Sequence, residues 1–99
     1  MSYQVRYTKT AKGDIVRLYG LLVKQDPELA RRALDKIEKG LTFLQDFPFT
    51  CRKATPEDPL LREMIISFGA KGYVVLFEIE NNNTVTILAL RHQREEDYY

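Results

Sequence analysis

The chain has 99 residues, with 15 basic and 14 acidic side chains and a formal net charge of +1. That length supplies one domain, since domains run to roughly 100–200 residues, and an apolar content of 44% with 11% aromatics excludes wholesale disorder. Near-neutrality gives no global pull toward nucleic acid or anionic membrane. It still leaves room for a local basic patch, because residues 1–13 carry Arg6, Lys9 and Lys12 and no acid, whereas residues 95–97 are all acidic.

Residues 2–8 read as a short strand. Tyr3, Val5 and Tyr7 alternate with Gln4, Arg6 and Thr8, so the apolar set falls on one face. Thr8 or Thr10 suits the N-cap of a following helix, and Asp14 comes near its first turn, where the helix dipole favours an anion. Ala11, Ile15, Leu18 and Leu22 form one stripe, with Tyr19 and Val23 beside it. Asp26-Pro27-Glu28 is a strong restart signal: Asp26 as N-cap, Pro27 in the first helical position, Glu28 at the positive end. Ala30, Ala33, Leu34, Ile37, Leu41 and Leu44 then repeat at helical spacing until Pro48 stops the helix. The link between the two helices is short, so they pack as an antiparallel hairpin.

Residues 48–59 hold three of the four prolines and read as an irregular crossing. Leu60–Phe68 reads as a strand, Gly69-Ala70-Lys71-Gly72 as a turn, and Tyr73–Glu80 as a strand apolar on both faces and therefore central. Asn81-Asn82-Asn83 suits a hairpin loop. Thr84–His92 is the last strand and Gln93–Tyr99 a polar tail. The expected order is β-α-α-β-β-β over residues 1–99. It is a two-layer α+β fold in which a helical hairpin packs on a mostly antiparallel four-stranded sheet.

The single cysteine, Cys51, has no intramolecular partner, which fits a reducing compartment. The first residues lack the apolar stretch of a secretory signal, and the longest apolar run, Tyr73–Phe77, is far short of the ~20 residues of a membrane helix. A soluble cytoplasmic protein is the expectation. There is no phosphate-binding glycine loop, no H-E-x-x-H and no G-x-S-x-G. One Cys and one His do not make a zinc site, so no metal or cofactor is expected. Glu57-Asp58 and Glu95-Glu96-Asp97 lie in polar segments and read as solvated surface.

Four features have chemical potential. Arg62 shares a strand face with Met64, Ile66 and Phe68, while Glu63 points to the other; an arginine there bridges to a partner or meets an anion. Arg91 and His92 close the last strand, followed by Gln93 and Arg94. A strand-end histidine is either a structural hydrogen-bonding group or a general acid/base. Arg52-Lys53 in the crossing is a solvated pair or a phosphate contact. Tyr98-Tyr99 is a frayed end, a partner contact or an acid/base tyrosine. Arg62 and residues 91–94 sharing one concave face would suffice for RNA cleavage or for binding a protein.

Read in order, several segments resemble the ParE/RelE superfamily of toxins from bacterial type II toxin–antitoxin systems. They are Val5-Arg6-Tyr7-Thr8 leading into Ala11-Lys12-Gly13-Asp14-Ile15, the long second helix ending at Phe47-Pro48, Leu61-Arg62-Glu63-Met64, Tyr73–Ile79, and Val85–Glu95. The resemblance covers nearly the whole chain. It implies the fold just read and a ParD-like antitoxin that folds over the toxin and neutralises it. RelE-like members cut mRNA in the ribosomal A site without metal, using clustered Lys/Arg with a Tyr, Glu or His; ParE-like members lack a full set of those groups and block DNA gyrase. By position, Arg62 matches the strand arginine shared across the superfamily, and Arg91 and His92 fall where RelE-like enzymes place catalytic groups. The acids before Tyr98 and the thin basic content of the crossing resemble the ParE branch. That branch implies a gyrase inhibitor with no catalytic residues, a functional face at Arg62, Arg91, His92 and Arg94, and no sequence-specific nucleic-acid binding. The RelE-like alternative implies a ribosome-dependent endonuclease using Arg62, Arg91, His92 and Tyr98.

Overall fold

A computed structural model describes residues 2–93. Strand β1 (Gln4–Tyr7) runs into helix α1 (Lys9–Gln25), α2 (Pro27–Phe43) follows at once, and after a 3-10 turn over Pro48–Thr50 come β2 (Arg52–Thr55), β3 (Asp58–Phe68), β4 (Lys71–Asn81) and β5 (Thr84–His92). The predicted caps hold. The Thr8 hydroxyl accepts from the Ala11 N–H at 3.0 Å, and the Asp26 carboxylate accepts from the Glu28 N–H at 3.0 Å with Pro27 in the first helical turn.

The sheet has five strands, in the order β1-β5-β4-β3-β2; β1 pairs parallel with β5 and every other pair is antiparallel. The expectation of four strands and an irregular crossing is corrected here, because Arg52–Thr55 pairs with β3 as an edge strand. Its neighbour in sequence, Pro56, lies just past its end, where a missing N–H costs no ladder bond. The β3–β4 turn is also tighter than expected. It spans only Gly69 and Ala70, with Gly69 at φ +64°, so a glycine takes the first turn position as a two-residue hairpin demands. Gly72 is already in β4, where a Cβ would collide with the Ile66 carbonyl oxygen.

Both helices cover one face of the sheet, α1 over β5 and α2 over β3. Leu18, Ala33, Ile37, Leu41 and Leu44 meet Met64, Ile66, Val75, Phe77, Ile79, Val85, Ile87 and Leu90 in one core. Burying each large side chain contributes about 1.5–3 kcal/mol. Phe77 is fully buried at the centre of β4, the strand whose double-sided apolar pattern marked it as central. Among the described residues, no helix is long and apolar enough to cross a membrane.

Candidate functional site

Arg62 stands on the helix-covered face of β3, two residues from Met64 and opposite Phe77. Beyond Met64 the core gives way to the crossing segment, whose carbonyls have few ladder partners. Arg62 Nε donates to the Pro59 carbonyl at 2.6 Å, and Nη1 donates to the carbonyls of Phe49 at 3.1 Å and Cys51 at 2.8 Å. The guanidinium carbon lies 5.3 Å from the Phe49 ring centre. The fork geometry of arginine suits such convergent acceptors, so Arg62 ties the 3-10 turn and the start of β3 together. Glu63 points to the opposite face and pairs there with Arg52 at 3.1 Å.

At the other end of the sheet a β-bulge sets the geometry. β4 pairs Phe77 with Ile87 but Leu76 with Ala89, so Leu88 is an extra residue in β5. A bulge shifts the alternation of every side chain beyond it. Without it, Arg91 would lie on the face of Ile87; with it, Leu90 enters the core, Arg91 turns to the face away from the helices opposite the buried Val74, and His92 comes to the helix side opposite Tyr73. The bulge is held from α1. The Thr8 hydroxyl donates to the Leu88 carbonyl at 3.1 Å, and the buried Asp14 carboxylate accepts from the Leu90 N–H at 2.9 Å. Asp14 therefore caps a strand irregularity instead of serving the helix dipole, and Arg17 approaches it at 3.8 Å. Sequence reasoning passed over this role, although an acid inside the stripe of Ala11, Ile15 and Leu18 is a visible signal.

These placements separate the predicted site residues. His92 makes an edge-on contact with the Tyr73 ring at 5.5 Å between centroids, and Arg91 Nη1 donates to the His92 carbonyl at 3.4 Å. Arg62 and His92 share the helix-covered side, but their partners Phe77 and Tyr73 are four residues apart on β4, roughly 13 Å at ~3.3 Å per residue. Arg91 lies on the other face. The open face interleaves acids with its arginines: the Arg52–Glu63 pair on β2 and β3, and Glu78 opposite Thr86. Arg94 and Tyr98 lie outside the described residues.

Burial raises three titratable groups above their ordinary values. Burial pushes the Cys51 thiol up, against the pull of a hydrogen bond with Thr50 and the nearby Arg62 charge. That disfavours the nucleophilic thiolate. Burial also raises the phenols of Tyr73 and Tyr7, the latter helped by Glu38. Among the described residues, no group of three or more His, Cys, Asp or Glu side chains is arranged to hold a metal ion.

Residues 5–97 match the family described as the ParE toxin of type II toxin–antitoxin systems, parDE. The toxin RelE3 of Caulobacter vibrioides is 31% identical over 85 residues, covering 86% of this chain and 88% of that one. A solved structure described as a chromosomal ParDE toxin–antitoxin system from P. aeruginosa superposes with a TM-score of 0.71 at 20% identity, over 92% of this chain and 96% of its own. That last likeness is one of fold, and it extends the agreement in topology to nearly the full length. Matched over nearly its whole length and sharing the strand, helical hairpin and sheet just described, the chain belongs to the ParE toxin family of type II toxin–antitoxin systems.

Proposed function

We propose that this toxin arrests growth in the cytoplasm by inhibiting DNA gyrase, and that a ParD-like antitoxin holds it inactive. The observation that carries the target is the dispersal of Arg62, Arg91 and His92. Metal-independent RNA cleavage needs a base, an acid and cations gathered around one phosphate within hydrogen-bond reach. Here the Arg62 fork is engaged by three carbonyls, His92 stands at the far end of the sheet, and Arg91 is on the opposite face. Interleaved Glu63 and Glu78 break up the open face as a track for a phosphate backbone. The antitoxin is supported by the family and by the ParDE description of the structural relative.

The test is gyrase supercoiling of a relaxed plasmid run beside cell-free translation, with the purified full chain in both. Inhibited supercoiling or trapped cleaved DNA at micromolar toxin, with translation untouched, is the expected outcome. Translation arrest with cleaved mRNA and normal gyrase would overturn it in favour of a RelE-like endonuclease using Arg62, Arg91, His92 and Tyr98. The name of the Caulobacter relative is the observation that favours this second reading.

A further inference from the structure

We propose that the cleft between α2 and the β3–β4 turn docks an extended acidic–apolar–acidic segment of the antitoxin; this rests on the antitoxin reading above and assigns it a surface. The cleft encloses about 410 Å³, with Leu29, Arg32, Asp35 and Lys36 on the α2 wall and Ser67 and Phe68 on the turn wall. Its charge is set by how α2 pairs its acids. Glu28 is taken by Arg31, whose Nη2 and Nε donate to it at 2.5 and 3.3 Å, and Asp35 is taken by Lys39 at 3.2 Å. Arg32 and Lys36 are left with no hydrogen bond or ion pair within the described residues. They sit one helical turn apart on one side of α2, where like charges repel until an anion arrives.

Spacing and lining select the ligand. Four helical residues separate the two cations by about 6 Å along the axis. Carboxylates two residues apart on one face of an extended peptide are about 6.6 Å apart. The residue between them points the other way, toward the Phe68 ring, which packs on Tyr73 at 6.3 Å. The apolar lining of Leu29 and Phe68 is wasted on a free phosphate. A polyanion such as nucleic acid would run past the acids Glu28, Asp35 and Glu38 along the same helix. A discrete pair of carboxylates around one apolar anchor meets both walls and passes only Asp35, whose charge Lys39 offsets. Beyond Phe68 a second cleft of about 320 Å³ carries Lys71, so a cation continues the margin in the direction such a segment would run.

The probe is a fluorescein-labelled peptide of sequence Asp-Leu-Glu-Phe-Asp, read by anisotropy against the full chain, with its Asn/Gln analogue as control. Binding should weaken roughly tenfold on going to the amides, and by at least as much in the R32E/K36E variant. The milder R32Q/K36Q variant, checked for a native unfolding curve, should lose part of it. K9E/K12E, with the same charge change on α1, should keep it. Equal binding of acid and amide peptides, undiminished binding by R32E/K36E, or no binding at millimolar peptide would overturn the proposal. In cells, R32E/K36E should still arrest growth but escape rescue by a co-expressed ParD-like antitoxin that rescues the wild type. Full rescue of that variant would overturn the docking site while leaving the toxin–antitoxin reading intact. A wild-type chain that arrests nothing would remove that reading, and the anisotropy then judges the cleft alone.

Discussion

The two ends of the sheet handle their cations in opposite ways. At the crossing end, Arg62 is engaged by the carbonyls of Phe49, Cys51 and Pro59 and lies over the Phe49 ring. At the β3–β4 turn end, Arg32 and Lys36 line an open cleft while the neighbouring acids are spent on Arg31 and Lys39. The difference follows from where spare acceptors fall. An irregular crossing offers carbonyls that no ladder uses, and a half-buried guanidinium must take them. A solvated helix face imposes no such demand, so cations there remain available to a partner. Arg62 is thus the most conspicuous arginine in the sequence and the one most committed to holding the fold.

Breaking the carbonyl-bound end gives the largest expected effect. Arg62→Ala should cost about 2–4 kcal/mol in urea unfolding, because it removes three charge-assisted hydrogen bonds at once. Arg62→Lys should fall between, since an ammonium lacks the fork. A loss below about 1 kcal/mol would mean that the guanidinium is not a clamp. Asp14→Ala should cost about 1–3 kcal/mol by stranding the Leu90 N–H, with faster hydrogen exchange localised to residues 88–92. Unchanged exchange there would sink the idea that Asp14 holds the bulge. At the solvated end, R32Q/K36Q should stay within about 0.5 kcal/mol of wild type, which sharpens the contrast with Arg62.

The smallest effect is in pH. The folded state raises the Cys51 thiol above its ordinary 9.0 and the Tyr7 and Tyr73 phenols above 10.0. These groups keep their protons more tightly when folded, so the unfolded chain binds fewer protons in alkali. Their contribution is fully present below those ordinary values and is lost as pH rises from them through the raised values of the folded state. Stability should therefore decline first past pH 9 and again past pH 10, and Cys51→Ser should remove the first decline. A flat alkaline profile for wild type would contradict the burial of all three groups.

Much of the fold was legible because its signals are local. Thr8, Asp26 and Pro27 cap their helices within three residues of themselves, and the α2 stripe from Ala30 to Leu44 states which side is buried. Alternation placed Arg62 on the face of Met64 and Ile66 and Glu63 on the other, as observed. The resemblance to toxins of this superfamily was legible for the same reason, being carried by short segments in fixed order.

What the residues alone determined is therefore the two helices, the three long strands and β1 in their order, the buried faces up to the bulge, and the family. Tertiary structure decided the rest, because each remaining answer depends on a group far away in the chain. Arg52–Thr55 becomes a fifth strand only because β3 stands beside it. Asp14 and Thr8 hold the bulge at Leu88 across 76 and 80 residues, and that one inserted residue sends Arg91 and His92 to opposite faces. A period-two pattern cannot foresee a bulge, since the bulge is the place where the period fails.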